Sequence, residues 1–289
     1  MTTTRSIAAA NDGPVTIDAT LLGHGGRVTV HAEAGCKRAT LTISTPDESG
    51  PAADAVRDAA LKQHKDSISA RIEGHGGISS GGTIVTGGGH RMQFTHNSGV
   101  IIGGNSVVGN VVNGSDVVIV GGRVVSGGNV VSVGGSSPIE VTATVPQGSS
   151  VAARTQSADV DTFGSLKTVG ANTQSGDVRV GRAGTIEAST QSGDIRLERT
   201  DVVTGKTMSG DITIGDFGGT AKLNTMSGDI RVHATAGGNL AARTMSGDID
   251  VTATDAALAD DLDVQTSSMS GRVRTPRPRP GTTGVRRRR

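Results

Sequence analysis

Serine, glycine and aspartate recur together in the second half of the chain, in the segment Thr-(Gln/Met)-Ser-Gly-Asp-(Ile/Val) and close variants of it. Carboxylates at such a regular spacing could bind calcium, as the Gly/Asp repeats of β-roll proteins do. Only one acid per turn recurs, which supplies few ligands for an ion that takes about six to eight oxygens. We therefore favour a structural turn, in which Gly provides φ > 0 and Asp or Ser hydrogen-bonds the local backbone.

The spacing of these segments indicates a stacked architecture. Successive serines lie 18, 17, 17, 18, 19 and 24 residues apart, at Ser157, Ser175, Ser192, Ser209, Ser227, Ser246 and Ser270. A short fixed period is typical of units that stack on their neighbours. The predicted turns are the triplets Ser175, Gly176 and Asp177; Ser192, Gly193 and Asp194; Ser209, Gly210 and Asp211; Ser227, Gly228 and Asp229; Ser246, Gly247 and Asp248.

Each turn is followed by Asp-apolar-x-apolar, for example Ile212 and Ile214, and a second apolar pair comes later, for example Leu240 and Ala242. Alternation with a period of two places each pair on one face of a strand. Every repeat therefore contains two strands and two turns. The sequence predicts an all-β fold, a β-solenoid of about six or seven rungs.

Two other repeated positions suggest how the rungs interact. Stacked aspartates would lie about 4.8 Å apart and repel one another, and Arg179, Arg196 and Arg231 are placed to neutralise them. The residue before each serine is Gln in the early repeats and Met in the later ones. This exchange favours a site that needs volume rather than a hydrogen bond, with Met as a gap-filler. A Met-lined ligand or metal site is the alternative.

Residues 139–275 resemble the bacterial "putative adhesin" family of β-strand-repeat proteins, a family built on a domain of unknown function. The resemblance rests on TQSGDVRV (173–180), TQSGDIRL (190–197), TMSGDITI (207–214), TMSGDIRV (225–232) and TMSGDIDV (244–251), with IEVTATVPQGSSVAARTQSADVDTFG (139–164) upstream. It implies stacked β repeats. It implies no chemistry, since the family has no established catalytic residues.

The chain divides into four parts by composition. Residues 1–73 form a β-rich region, with strands predicted at Val15–Asp18, Arg27–His31 and Thr40–Ser44 and a helix over 52–65. Residues 74–135 are Gly-rich and dense in Val and Ile, which favours short strands with tight turns, arranged as earlier rungs. Residues 136–275 hold the repeats.

The last part, 276–289, is predicted to be a disordered Arg-rich tail. Residues 272–289 contain arginines but no acid, whereas the whole chain has a net charge of +1, so the rest is acidic. The tail predicts a weak contact with a polyanion; a solvated terminus of no consequence is the alternative. The candidate contact residues are Arg277, Arg279, Arg286, Arg287, Arg288 and Arg289.

The sequence excludes several classes of function but does not identify a specific one. It shows no catalytic constellation, and we expect no cofactor, no metal site and no enzymatic activity. The absence of an apolar leader and of an apolar stretch of about 18 residues predicts a cytoplasmic protein. We expect a structural or interaction module that binds a protein partner or itself through the rung ends. The alternatives are a surface- or polysaccharide-binding adhesin exported without a signal, and a β-helix carbohydrate enzyme.

Overall fold

The computed structural model describes residues 2–73 and 137–276, and the backbone of short strands between them. The chain separates into two compact units. One contains Met1–Glu73 and Ser137–Arg289, and the other contains Gly74–Ser136.

The N-terminal part of the first unit contains five strands and one helix. Its longest strand is β2. The strands predicted at Val15–Asp18 and Arg27–His31 both belong to this one element, except for Val15, which precedes it. The strand predicted at Thr40–Ser44 corresponds to β3. The elements are β1 (Thr3–Ala8), β2 (Thr16–Glu33), β3 (Thr40–Thr45), α1 (Pro51–Asp58), β4 (Ala60–His64) and β5 (Ser67–Glu73).

The helix predicted over 52–65 is wrong beyond Asp58. Helix α1 starts with Pro51 in its first turn and buries Ala52, Ala55 and Val56, as its composition predicts. At Ala59 the backbone leaves the helical region, and β4 pairs antiparallel with β5 instead. Because β5 also pairs with β2, the sheet overrides the local helix preference of this segment.

The second unit contains short strands in three antiparallel pairs. The rest of this segment is outside the described residues. The prediction that it forms tight rungs therefore concerns residues that the structure does not describe. The strands are β6 (Thr83–Val85), β7 (Arg91–Gln93), β8 (Val100–Ile101), β9 (Val107–Val108), β10 (Val118–Val120) and β11 (Arg123–Val125).

The repeats form a run of parallel strands, each paired with the next in sequence, which confirms the predicted β-solenoid. A short helix, α2, lies between the two arms of one rung: the strand before it pairs with the first arm of the preceding rung, and the strand after it pairs with the second arm. The elements are β12 (Ile139–Pro146), β13 (Ser150–Thr173), β14 (Val178–Ser189), β15 (Ile195–Thr207), β16 (Ile212–Ser227), β17 (Ile230–Ser246), β18 (Ile249–Ala253), α2 (Asp255–Ala259), β19 (Leu262–Ser270) and β20 (Val273–Arg274).

Every rung has two arms that enclose one apolar interior. In β16, Ile212 and Ile214 on one arm and Leu223 on the other are all buried. A Cβ added to Gly205 in the adjacent rung would lie 3.2 Å from Leu223 Cδ2 and 3.7 Å from Ile212 Cδ1, so the arms face each other across this core. The period-two alternation predicted these pairs correctly.

The N-terminal strand β2 forms a complete rung inside the stack. Its second arm pairs in parallel with β12, and both of its arms pair in parallel with β13. The first arm also pairs with β5. Residues 26–32 therefore lie between β12 and β13, which follow one another much later in the chain, and residues 16–21 lie between β5 and β13.

Candidate functional site

The Ser-Gly-Asp triplets lie at one corner of the solenoid, where the chain passes from the second strand arm of one rung to the first arm of the next. We call this edge the Ser-Gly-Asp corner. Backbone hydrogen bonds join it from rung to rung: Ser192 N donates to Gln174 O, and Ser209 N donates to Gln191 O, both at 2.9 Å. The structure thus brings the predicted turn residues together along one line.

Buried threonines secure the corner, and the sequence interpretation missed them. Thr207 Oγ1 accepts a hydrogen bond from Gly210 N at 3.0 Å and donates to Gly193 O in the preceding rung at 3.3 Å. Thr190 makes the same pair of contacts with Gly193 and Gly176. The signal was present in the sequence, because Thr opens each full repeat. The members of this row are Thr173, Thr190, Thr207, Thr225 and Thr244.

The turn glycines are needed mainly for close stacking. The backbone of Gly176, Gly193, Gly210 and Gly228 lies outside the left-handed region, so the predicted positive φ is wrong at these four positions, whereas Gly247 has a φ of +158°. A Cβ on Gly210 would lie 2.0 Å from Gly193 O, and one on Gly193 would lie 2.0 Å from Gly176 O. Any side chain at this position would collide with the backbone of the rung beside it.

The aspartates bond across rungs, and not to their own turn as the sequence interpretation proposed. Asp194 N donates to Asp177 Oδ1 at 3.0 Å, and Asp211 N donates to Asp194 Oδ1 at 2.9 Å. The relationship continues to the end of the stack, where Arg272 N donates to Asp248 Oδ1 at 2.8 Å. Each carboxylate therefore satisfies a backbone N–H of its neighbour.

Arginines bind the second carboxylate oxygen, as their spacing predicts. Arg196 contacts Asp194 Oδ2 at 2.7 Å and Asp177 Oδ2 at 3.4 Å. Arg231 bridges Asp229 and Asp211 in the same way. The arginine side chains are about half exposed, so each pair contributes at most about 1 kcal/mol. Together they offset the repulsion expected within a column of like charges.

The positions before the serines form an exposed row, which we call the Gln–Met row. The side chains of Met208, Met226 and Met245 are about half exposed, at 49%, 48% and 50%, and that of Met269 is 80% exposed. The interpretation that this position needs volume to fill a gap is therefore wrong, because the side chains point away from the core. Gln156 also accepts a hydrogen bond from Gly23 N at 2.8 Å.

The C-terminal end of the described solenoid presents edge strands. In the part of the chain that the structure describes, β19 pairs with β17 and β20 pairs with β18, each on one side. Val273 in β20 is 42% exposed. Unpaired strand edges carry N–H and C=O groups that can pair with another strand.

The described ranges, 2–73 and 137–276, contain no group of three His, Cys, Asp or Glu side chains arranged to hold a metal ion. None of their helices has the length and apolarity needed to cross a bilayer. The candidate polyanion residues, Arg277, Arg279, Arg286, Arg287, Arg288 and Arg289, lie outside the described residues.

Comparison with protein families identifies the repeats. The family model of the Toastrack domain, DUF4097, matches residues 112–287, which is more than half of the chain. The chain belongs to the Toastrack DUF4097 family. This is a domain of unknown function, and the resemblance to β-strand-repeat proteins is confirmed. No curated protein matches the sequence.

Several solved structures are similar to this chain at low sequence identity. A "putative adhesin" from Bacteroides fragilis has a TM-score of 0.50 and 15% identity, covering 96% of this chain and 97% of its own. A "putative lipid binding protein" from Parabacteroides distasonis has a TM-score of 0.38 and 12% identity, with 95% and 97% covered. A "putative adhesin" from the same organism has a TM-score of 0.36 and 12% identity, with 96% and 97% covered. The Bacteroides fragilis structure shows a common fold.

Proposed function

We propose that this Toastrack protein is a non-catalytic interaction module that associates with itself, or with another protein, through the C-terminal end of the described solenoid. The observation that carries the proposal is the pair of edge strands β19 and β20, each paired on one side within the described residues. Addition of a strand to a sheet edge is a common mode of protein recognition, because main-chain hydrogen bonds supply the affinity.

The orientation of one peptide group supports this use of the edge. Arg272 O accepts a hydrogen bond from Ile249 N at 2.8 Å and so points into the stack. In a trans peptide the following N–H points the opposite way. The N–H of Val273 is therefore directed away from the solenoid, toward an added strand.

A non-catalytic role agrees with how the recurring acids are used. Both oxygens of Asp177 and Asp194 contact groups of the solenoid itself, one a backbone N–H and the other an arginine. These carboxylates bind neighbouring rungs to each other through both oxygens, which supports a structural role for them.

Sedimentation velocity over a range of protein concentrations tests the proposal. We expect the wild-type chain to form larger species as concentration rises, and Val273→Pro to remain monomeric, because proline removes the outward N–H. Val273→Thr is the matched control, since it keeps the N–H and the β-branched shape. Equal assembly of the proline variant would contradict an edge contact. A wild type that stays monomeric at every concentration would contradict self-association. The partner would then be a different protein, which cross-linking at Val273 can capture.

A surface-binding adhesin is a second candidate, and one exposed ring pair favours it. The rings of His31 and Phe163 stack with centroids 5.0 Å apart, and Phe163 is 49% exposed. An exposed aromatic ring can pack its face against the apolar side of a bound molecule. The test is co-sedimentation with insoluble polysaccharides, in which Phe163→Ala should reduce binding. Cell fractionation separates the candidates further, because we propose a cytoplasmic location for the interaction module and an adhesin acts at the surface.

A further inference from the structure

The methionines of the Gln–Met row occupy equivalent positions in consecutive rungs. Thr225 pairs with Thr244, and Ser227 with Ser246, so Met226 lies beside Met245. The pairing of β17 with β19 places Met269 beside Met245, and Ser227 N donates to Met208 O at 2.8 Å on the other side. The chain has six methionines, and four of them are in this row.

Packing does not explain this use of methionine. The side chains are half exposed or more, and glutamine occupies the same place at Gln156, Gln174 and Gln191. The position therefore accepts a polar side chain of similar length without harm to the fold. What methionine adds over glutamine is a polarisable thioether sulfur, a soft and uncharged donor.

We propose that Met208, Met226, Met245 and Met269 form a binding site for a soft monovalent cation of the Cu(I) and Ag(I) class. Thioether ligands select Cu(I) over harder ions, and the row itself contains no carboxylate, imidazole or thiol that would favour calcium or zinc.

The spacing of the rungs suits this chemistry. Strands in a sheet lie about 4.8 Å apart, which sets the separation of equivalent side chains. A metal–sulfur bond is about 2.3 Å, taking the zinc–thiolate value as a guide, so one cation between two adjacent thioethers spans about 4.6 Å. The flexible methionine side chain can close the small difference between the strand spacing and the sulfur–cation–sulfur span. It can also bring a third sulfur to the cation. The row provides several such positions in sequence.

Titration with Ag(I), and with Cu(I) under anaerobic reducing conditions, tests the proposal. A chromophoric Cu(I) chelator reports affinity by competition. All proteins carry Cys36→Ser, because the free thiol of Cys36 is itself a soft ligand. We expect the double variant Met226→Gln, Met245→Gln to bind the cation at least about tenfold more weakly. Substitution of residues that only support the ligands already costs about tenfold in other metal sites, and these methionines would be ligands themselves. Glutamine already occupies this row, so the variants should fold.

Two further variants separate metal binding from other uses of the row. Leucine substitutions at Met226 and Met245 keep the apolar surface and remove the sulfur, and they should lose the cation as the glutamine variants do. Gln191→Met should extend the row and raise its capacity for Ag(I). Retained affinity in the leucine variants, or equal affinity of the wild type and the glutamine variants, would overturn the proposal.

Discussion

The backbone N–H of Asp194 donates to Oδ1 of Asp177, 3.0 Å away and 17 residues earlier in the chain. The carboxylate of Asp194 accepts from Asp211 in turn. One residue in each rung thus acts as donor to the rung before and acceptor for the rung after. This contact sets the register of neighbouring rungs, and it persists while the repeat length varies from 17 to 24 residues.

Replacing Asp194 by alanine should lower the free energy of unfolding by about 1–3 kcal/mol, because the N–H of Asp211 loses its acceptor. Asp194→Asn keeps a carbonyl acceptor and loses only the pair with Arg196, so it should cost about 1 kcal/mol or less. Urea denaturation measures both. Asp201→Ala, at an exposed position, is the control. Equal losses for alanine and asparagine would show that the charge pair dominates.

Gly210→Ala should destabilise the solenoid by about 1–3 kcal/mol, since its Cβ would meet Gly193 O at 2.0 Å. Gly210→Val should be worse. Gly215→Ala is the matched control, because the nearest atom to its Cβ is Glu198 O at 3.4 Å. Thermal unfolding of the three variants compares them. Similar melting temperatures for Gly210→Ala and Gly215→Ala would refute the close-stacking explanation.

Thr207→Val should cost about 1–3 kcal/mol, because it preserves shape but leaves the N–H of Gly210 without its acceptor. Thr207→Ser should cost less, since the hydroxyl remains. The chain makes this exchange itself: Ser268 donates to Gly247 O at 2.9 Å in the last rung. Guanidinium denaturation gives the order of the two variants, and a valine variant as stable as the serine variant would count against the hydroxyl's role.

We expect no specific calcium requirement. One acid per Ser-Gly-Asp turn is too few ligands, and the carboxylate oxygens of Asp177 and Asp194 already contact N–H groups and arginines. Calorimetric titration should show no stoichiometric binding, and a chelator should leave the melting temperature unchanged. A large rise in melting temperature with calcium, reversed by chelator, would overturn this.

The arginines of the C-terminal segment should give weak binding to DNA or acidic vesicles that falls steeply with salt, as counterion release requires. Removing residues 276–289 should abolish this binding and leave the melting temperature unchanged. Fluorescence anisotropy at several salt concentrations measures the first effect, and calorimetry measures the second. If the shortened protein bound as well as the full chain, the segment would not be the binding element.

The sequence predicted the repeats well because their apolar alternation and period are local signals. Pairs such as Ile212 and Ile214 are buried as expected. The insertion of β2 between β12 and β13 has no local signature, since a parallel pairing between distant segments depends on the whole sheet.

The corner was located correctly but explained incorrectly. Contacts between rungs depend on where the neighbouring backbone lies, and a single repeat does not contain that information. Glycine at Gly210 therefore suggested a positive φ when the cause is the carbonyl of Gly193. Exposure of Met226 was missed for a related reason, because Gln and Met are as compatible with a surface as with a gap.

The position of β2 also affects how the chain can fold. Rungs such as β16 and β17 join segments close in sequence, for example Ile212 with Ile230, whereas Gly26 must find Ile139. Local contacts form fast and distant ones slowly. During synthesis the segment 16–33 leaves the ribosome long before its partners in β12 and β13. Its rung therefore cannot be completed until those later segments have been made, and until then its apolar residues lack the neighbours that bury them.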